Sequence, residues 1–406
     1  MVKPWDTATI GDFLDFKNGL NKGKEFFGYG TPIVNYTDVY RKRSLTKNDV
    51  RGKVNLTRDE IHRFDARKND VFFTRTSETP EEVGMSSVLL DDIDDCVFSG
   101  FVLRGRPKND MFTPEYCKYC FTTEAVRNAI TMGCTYTTRA LTNGKQLSAI
   151  EIVVPSKPEQ EAIAQSLTDI DELILSLEKL VAKKKAIKQG AMQELLTGKR
   201  RLPGFSGKWI SGKWEEVLDC FSSGATPYRG NPTFYKGSIK WVSSGELNYN
   251  HIMDTLEHIS TEAKEKTNLT IHPAGIFLMA ITGLEASGTR GSCAILDAPA
   301  TTNQSCMAIY GTDKMSTEYL FHYYVQHGDE LAFQYCQGTK QQSYTAVIVK
   351  KLPIYYPEDV AEQNAIASVL TSMDNEVRAL KQKLAKYRQV KQGMMQQLLT
   401  GKIRLM

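Results

Sequence analysis

The chain has 406 residues, which is enough for two or three domains that each bury their own core. Its 51 Lys and Arg against 47 Asp and Glu leave a formal charge of +4, so charge permits nucleic-acid binding without indicating it. Eight cysteines without regular spacing exclude a disulfide framework, and no apolar run of about 18 residues predicts a membrane span. The N-terminus lacks the form of a signal peptide, and we expect a cytoplasmic protein.

The first predicted domain covers residues 1–155 and mixes strand and helix patterns. The apolar run Asp70–Arg75 predicts a strand, and Val88–Leu90 predicts a second strand after a loop rich in Gly, Ser and Thr. Pro114 opens a helical pattern. These features predict an α/β domain.

A long helix is predicted in the segment 156–203. Ser156 and Glu159 have the spacing of a capping box, and Gly198 stands where a left-handed C-cap is expected. Apolar residues recur at alternating steps of four and three, which is the period of a coiled-coil seam. The predicted seam is Ile163, Leu167, Ile170, Ile174, Leu177 and Val181.

A second domain is predicted at 204–357, with the same order of elements as the first. Strand patterns at Gly275–Ala280 and Ala294–Leu296 again flank a loop of small residues, and Thr317 opens a helical pattern. The final segment, 358–406, predicts a second long helix, with Asp359 and Glu362 at the spacing of a capping box and Gly401 where a left-handed C-cap is expected. Its seam is Ile366, Leu370, Met373, Val377, Leu380 and Leu384.

The two helical segments are copies of each other. Residues 159–202 and 362–405 align without a gap, and 23 of the 44 aligned positions are identical. This internal repeat predicts a tandem duplication of one domain and one helix. A helix of about 40 residues is roughly 60 Å long and needs a partner for its seam. We therefore predict an α+β chain with two α/β domains separated by two long antiparallel helices, which form an intramolecular coiled coil with pseudo-twofold symmetry. The alternative is that each helix packs only on its own domain.

Motifs of catalysis are absent from the sequence. It contains no phosphate-binding loop, no dinucleotide fingerprint and no His pair with zinc-protease spacing. Cys117 and Cys120 have the spacing of half a zinc site, but the second copy has Leu320 and Tyr323 there, which favours an apolar helix face. Asn231-Pro232-Thr233-Phe234 is similar to an adenine methyltransferase motif but lacks its second proline. We predict no catalytic residue and no metal ligand.

Polar and cationic residues cluster instead in loops at matching places of both domains. Arg can bind guanine in a bidentate manner and Gln can bind adenine, whereas Lys, Thr and Tyr meet phosphates. We predict phosphate contacts for Lys22, Lys24, Arg41 and Arg229, and base contacts for Arg75, Arg139, Arg290 and Gln341. The whole predicted DNA-binding set is Lys22, Lys24, Tyr36, Arg41, Arg75, Thr76, Thr138, Arg139, Tyr228, Arg229, Ser244, Thr282, Arg290, Thr339, Lys340, Gln341 and Gln342.

The chain resembles the DNA-specificity subunits of type I restriction-modification systems. The resemblance is carried by Trp214 with the run Gly224–Pro232, by Tyr235–Val242, by Lys340–Ser343, and by Pro155 and Glu159-Gln160 before a helix that ends in LLTGK. It covers the whole chain, although the first domain keeps only the outline.

This resemblance implies a non-catalytic subunit with two target-recognition domains that each read one half of a split, asymmetric DNA sequence. The two helices would set the spacer and dock two methyltransferase subunits, which carry S-adenosylmethionine and methylate adenine N6. Restriction subunits would join the same core, and the chain itself would bind no cofactor. Two alternatives stay open: a DNA methyltransferase or nuclease in its own right, and a two-headed protein scaffold that never touches DNA.

Overall fold

The computed structural model describes residues 5–285, 290–336 and 342–405. It divides into two compact units: unit 1 comprises Met1–Glu178 and Gln382–Met406, and unit 2 comprises Lys179–Lys381. Each unit thus contains one globular domain and a part of both long helices. The division runs through the helices, so the domain boundaries proposed from the sequence stay a prediction.

The domain of unit 1 is built from short strands around a five-stranded sheet. Its helices are α1 (Ile10–Phe13), α2 (Tyr36–Arg41), α3 (Arg58–Arg63), α4 (Pro114–Cys117), α5 (Glu124–Gly133) and α6 (Gly144–Ser148). Its strands are β1 (Asp6–Thr9), β2 (Leu14–Asn18), β3 (Phe27–Val34), β4 (Ser44–Leu45), β5 (Gly52–Val54), β6 (Val71–Thr74), β7 (Thr76–Ser77), β8 (Ser86–Leu89), β9 (Val97–Phe98), β10 (Val102–Pro107), β11 (Thr135–Tyr136), β12 (Ala140–Leu141) and β13 (Glu151–Val154).

The central sheet of unit 1 has the strand order β2-β10-β6-β8-β4, and smaller sheets have the orders β5-β3-β9, β11-β12-β7 and β1-β13. Central strands β6 and β8 are buried along their whole length, because apolar elements cover both of their faces. The predicted strands in Asp70–Arg75 and Val88–Leu90 are present, as β6 and β8. The helical pattern after Pro114 is broken into the single turn α4 and a second helix, α5.

Unit 2 repeats this plan. Its strands are β14 (Trp209–Lys213), β15 (Leu218–Ser223), β16 (Ile239–Val242), β17 (Asn250–Ile252), β18 (Glu257–Ile259), β19 (Phe277–Ala280), β20 (Cys293–Leu296), β21 (Thr301–Thr302), β22 (Cys306–Gly311) and β23 (Pro353–Pro357). These strands form sheets with the orders β15-β22-β19-β20-β17, β18-β16-β21 and β14-β23. The domain helices are α8 (Trp214–Val217), α9 (Thr261–Lys266), α10 (Thr317–Tyr335) and α11 (Ala346–Lys350). We number the long helices α7 (Lys157–Leu195) and α12 (Val360–Leu398).

The two long helices lie antiparallel within each unit. In unit 1, Lys391 binds Asp171, and Arg388 Nη2 lies 2.6 Å from Glu178 Oε1, so residue numbers fall along α12 as they rise along α7. In unit 2, Lys188 binds Asp374, and Lys184 Nζ lies 2.6 Å from Glu376 Oε1. The predicted antiparallel pairing is confirmed. Among the described residues, no helix has the length and apolar composition needed to cross a membrane.

The predicted seam residues are mostly covered. Nine of the twelve are buried, whereas Ile174, Met373 and Leu380 are half-buried. The first two positions of each copy belong to the hydrophobic core of their own unit: Ile163 and Leu167 in unit 1, and Ile366 and Leu370 in unit 2. The first turns of each helix therefore pack on the domain of their own unit, in addition to the pairing of the two helices.

The Glu-Gln pair at the start of each repeat joins the long helix to its domain. Gln160 accepts a hydrogen bond from Thr113 N at 2.8 Å and donates to the carbonyls of Met111 and Pro155 at 2.9 Å. Gln363 makes the equivalent three bonds in unit 2, with Ser316 N and the carbonyls of Lys314 and Pro357. Both amides are buried, so each network satisfies backbone groups that water does not reach.

The glutamate of each pair binds an arginine beyond the end of a long helix. Glu159 accepts from Arg404 Nη2 at 2.9 Å and from Trp5 Nε1 at 3.1 Å, and the guanidinium lies over the Trp5 ring. The Arg404 hydrogen bonds lower the pKa of Glu159 to about 2. In unit 2, Glu362 accepts from Arg201 Nη2 at 2.6 Å, and Arg201 lies over Trp209. We call these trios the unit 1 clamp and the unit 2 clamp.

The ends of the helices agree only in part with the predicted caps. Gly198 and Gly401 have φ values of +69° and +70°, as expected for left-handed C-caps, and each lies against the clamp tryptophan. Glu159 reaches back to Ser156 N and Oγ, whereas Glu362 does not reach Asp359. Its carboxylate is held by Arg201, and Asp359 instead accepts from Ala361 N at 2.8 Å.

Candidate nucleic-acid interface

A surface cleft in unit 1 brings together three of the predicted recognition residues: Tyr36, Thr76 and Arg139. It has a volume of about 400 Å³. We call it the unit 1 cleft, and its walls are formed by Tyr36, Tyr40, Thr76, Ser77, Glu78, Glu82, Phe101 and Arg139.

One wall of the cleft is the start of α2. Asn35 N donates to Asp38 Oδ2 at 2.9 Å, which fixes the first turn of this helix. Tyr36 and Tyr40, one turn apart, stack with ring centroids 5.7 Å apart and planes inclined by 14°. Tyr40 Oη donates to Glu82 Oε1 at 2.7 Å, and this bond to a carboxylate raises the pKa of the Tyr40 hydroxyl. The aromatic wall is thus held in place from behind.

The opposite wall is set by a strand pair. Strand β12 pairs with β7 in an antiparallel register that places Ala140 opposite Ser77 and Leu141 opposite Thr76. This register carries Arg139, the residue before β12, to the rim of the cleft. Phe101, which lies after the turn at Gly100, is 58 % exposed there. Phe101 is not among the residues predicted from the sequence.

The remaining predicted residues of unit 1 divide into exposed and committed side chains. Lys24, Arg41 and Thr138 are exposed and available to a ligand. Lys22 forms an ion pair with Glu60 and lies over the Phe26 ring at 4.8 Å, so its charge is already partnered within the domain. Arg75 Nη1 donates to Gly100 O at 3.5 Å, which directs it to the turn that precedes Phe101.

A larger groove of about 970 Å³ lies beside α2 in unit 1. Arg41, Lys42 and Arg43 line one side of it, and the long-helix residues Asp171 and Lys391 line the other. Arg43 Nη1 lies 3.8 Å from Asp171 Oδ2, and Lys391 binds the same carboxylate. The cations of this groove are therefore balanced in part by carboxylates of α7.

In unit 2 the predicted loop after β15 presents Tyr228, which is 75 % exposed. Its neighbour Arg229 is held differently from the phosphate contact that the sequence predicts. Arg229 Nη2 donates to Glu257 Oε2 at 2.8 Å, and its guanidinium lies 4.2 Å from the Tyr235 ring centroid. The Arg229 hydrogen bonds lower the pKa of Glu257. A phosphate would have to compete with this carboxylate for Arg229.

The other predicted residues of unit 2 that the structure describes lie outside its strands. Thr282 forms an isolated bridge with Ser343, and Ser244 opens a single turn after β16. Gln342 N donates to Glu285 Oε2 at 3.3 Å. Arg290 Nε donates to Asp329 Oδ1 at 3.1 Å and the side chain is 14 % exposed, so it is largely engaged. The predicted residues Thr339, Lys340 and Gln341 lie outside the described residues.

Among the residues that the structure describes, acid, thiol and imidazole groups do not gather into a metal site. Within the described ranges, no group of three His, Cys, Asp or Glu side chains has the arrangement to hold an ion. Cys117 and Cys120 are both buried in the unit 1 core with Tyr116 and Phe121. Their spacing reflects an apolar face around α4, as the comparison of the two sequence copies predicted.

The sequence and the fold match one family of proteins. The family model described as "Type I restriction modification DNA specificity domain" matches residues 2–189 and 207–387. The "Type I restriction enzyme MjaVIII specificity subunit" of Methanocaldococcus jannaschii is 23 % identical over 427 aligned positions, which cover 99 % of this chain and 93 % of that protein.

Solved structures of the same kind share the fold at low sequence identity. The type I restriction-modification S subunit of M. genitalium aligns with a TM-score of 0.60 at 13 % identity, covering 97 % of this chain and 96 % of that one. The HsdS subunit of Thermoanaerobacter tengcongensis aligns with a TM-score of 0.51 at 16 % identity, covering 99 % and 98 %. With two matched copies that span most of its length, the chain belongs to the type I restriction-modification DNA specificity family.

Proposed function

We propose that this chain is the DNA-reading subunit of a type I restriction-modification complex, in which unit 1 and unit 2 read the two halves of a split and asymmetric target. One observation carries this proposal: the two units share a scaffold but expose different side chains at corresponding loops. Corresponding strand orders in three sheets and matching clamps recur in both units, whereas the exposed residues around the unit 1 cleft have no copies in unit 2. Two such readers suit two unlike half-sites.

The chain itself performs no chemical step in this proposal. Two methyltransferase subunits bind S-adenosylmethionine and methylate adenine N6, and restriction subunits cleave DNA, all in the cytoplasm. The paired helices α7 and α12 dock these partners. A methyl-transfer assay on the purified chain, without its partners, is expected to give no product. Transfer by the chain alone would contradict this division of labour and would favour an enzyme.

The predicted contacts differ in what they contribute to binding. Lys24 and Arg41 are exposed cations, and contacts from such residues to phosphates give affinity that falls with salt but carries no sequence information. Arg139 stands at the cleft rim and can donate two hydrogen bonds to a guanine edge. Lys22, Arg229 and Arg290 already have carboxylate partners within the protein. We therefore rank them below Lys24, Arg41 and Arg139 as candidate DNA contacts.

The test uses the assembled complex with its methyltransferase subunits and methylation mapping of the host genome. Arg139→Ala is expected to relax one half-site, and Tyr228→Ala the other, each by about 1 to 3 kcal/mol of discrimination. Arg200→Ala, which removes a cation with 72 % side-chain exposure outside the predicted set, is the matched control and should leave both half-sites unchanged.

Two results would count against the proposal. Equal relaxation of both half-sites by either variant would contradict the assignment of one half-site to each unit. Absence of site-specific, salt-sensitive DNA retention by the wild-type complex would favour a protein scaffold instead.

A further inference from the structure

The two units can be compared residue by residue, because their strand registers correspond. Parallel pairing places Val34 opposite Phe98 in unit 1 and Val242 opposite Thr302 in unit 2. Continuing three residues beyond Phe98 and Thr302 leads to Phe101 and Ser305, respectively. Each is followed by the first residue of the next central strand, so these two positions are equivalent without any gap.

The other walls of the unit 1 cleft can be matched in the same way. Two residues beyond Val34 and Val242 are Tyr36 and Ser244, each at the start of a short helical turn. In the central sheets, Thr74 pairs with Val102 in unit 1, and Ala280 pairs with Cys306 in unit 2. Thr76 and Thr282 each lie two residues further along the chain, so they are equivalent. Thus Thr76 has a threonine counterpart, whereas Tyr36 and Phe101 are replaced by serines in unit 2.

The aromatic side chains in unit 1 are not required by the scaffold. Phe101 is 58 % exposed, and it therefore leaves much of its ring in water instead of in the core. The same backbone positions are filled by serines in a unit of the same fold. The Phe101 ring lies at the cleft beside Arg139, and unit 2 has no such ring at the equivalent position. This arrangement suits contact with a ligand that has both polar and apolar features.

On duplex DNA the major-groove edges of bases offer one prominent apolar group, the 5-methyl of thymine, next to hydrogen-bond acceptors. We propose that Phe101 is a specificity-determining residue that contacts a thymine 5-methyl group in the half-site read by unit 1, with Arg139 donating to a base nearby. This inference rests on the proposed function, since it assumes that unit 1 reads duplex DNA. Insertion of the ring between base pairs is a less favoured mode, because unstacking costs a few kcal/mol per step.

The experiment removes a single methyl group from the DNA and a single ring from the protein. The complex of this chain with its methyltransferase subunits is titrated with duplexes of the mapped target, in which each thymine in turn is replaced by deoxyuridine. For the wild type, loss of the contacted methyl should weaken binding about fourfold. With Phe101→Ser, which installs the unit 2 residue, the thymine and deoxyuridine duplexes should bind alike.

Two further variants make the result specific. Phe101→Leu keeps an apolar side chain and should retain part of the preference for thymine. Ser305→Ala changes the equivalent position of unit 2 and should leave the deoxyuridine effect in the first half-site unchanged. Because Phe101 is exposed, its replacement should not alter the melting temperature, which is measured alongside.

The inference is overturned if no deoxyuridine substitution in the half-site weakens wild-type binding, or if Phe101→Ser responds to it as the wild type does. A half-site without thymine in either strand would overturn it as well. These results leave site-specific binding by the wild-type complex intact, so they are distinct from a failure of the proposed function, in which no duplex is preferred at all.

Discussion

Replacing His322 should remove a loss of stability that unit 2 undergoes in mild acid. His322 on α10 is 1 % exposed, and its Nε2 lies 2.9 Å from Thr371 Oγ1 on α12. Burial lowers the pKa of His322 to about 4. Asp374 opposes this shift, whereas repulsion from Lys188 and His251 adds to it. The equivalent position of unit 1 is Tyr119, whose hydroxyl lies 3.2 Å from Thr168 Oγ1 and 3.1 Å from Asp171 Oδ2.

The direction and size of the effect follow from linkage. The pKa of His322 is lower in the folded state than its ordinary 6.5, so its neutral form favours folding and the unfolded chain takes up the proton first. The contribution to stability is complete above about pH 6.5 and is lost as the pH falls toward 4. The free energy of unfolding should decrease by about 2 kcal/mol at pH 5 and about 3 kcal/mol at pH 4 from this group alone.

The assay compares wild type with His322→Gln, which keeps a hydrogen-bond donor but does not titrate. Three of the four tryptophans, Trp209, Trp214 and Trp241, belong to unit 2, so tryptophan fluorescence during urea unfolding reports mainly on this unit. The difference between the two proteins should change by about 3 kcal/mol between pH 7 and 4. His62→Gln, at an exposed site in unit 1, is the control. Parallel pH profiles for wild type and His322→Gln would refute the reasoning.

The remaining predictions concern the clamps. Arg404→Ala should lower the melting temperature of unit 1, because the Glu159 carboxylate loses its main hydrogen-bond partner. Since the pKa of Glu159 is about 2 in the fold, the wild type should also lose stability as the pH falls from about 4.5 to 2. Arg404→Ala should lose less stability over this range, which calorimetry at several pH values can measure. Equal dependence of the unfolding free energy on pH in both proteins would contradict this prediction. Gly401→Ala should cost about 1 to 2 kcal/mol, because its φ of +70° is left-handed and a Cβ would lie 3.1 Å from the Trp5 ring. Gly198→Ala is the equivalent substitution in unit 2 and should be destabilising for the same reason. A melting curve unchanged by either substitution would contradict the proposed backbone strain.

The overall arrangement of domains and long helices could be predicted because periodic sequence patterns indicate it. The alternating steps of four and three in α7 and α12 and the internal repeat were enough to place two long antiparallel helices. The short strands of the domains were harder to predict. Strands of two residues, such as β7 and β12, have no periodicity of their own and are fixed by their partners in the sheet.

The candidate site shows a similar limit. Loop residues rich in Arg, Lys and Thr could be chosen by their chemistry, but partners determine which of them are available. Arg229 was selected as a phosphate contact, yet a carboxylate 28 residues further along the chain holds it, and no local pattern indicates that Glu257 would be there. Phe101 shows the converse case: it was not selected from the sequence, yet it is exposed at the cleft. The sequence alone does not distinguish an exposed phenylalanine from one in the core.

The clamp of unit 1 affects the order in which the two units can be completed during translation. Unit 2 is one continuous stretch, Lys179–Lys381, whereas unit 1 needs Gln382–Met406 to be complete. Translation supplies Trp5 and Glu159 before most of unit 2, but Arg404 only after it. The domain that is synthesised first is therefore completed after unit 2, and a chain that stops before Arg404 would lack part of unit 1 while unit 2 is already whole.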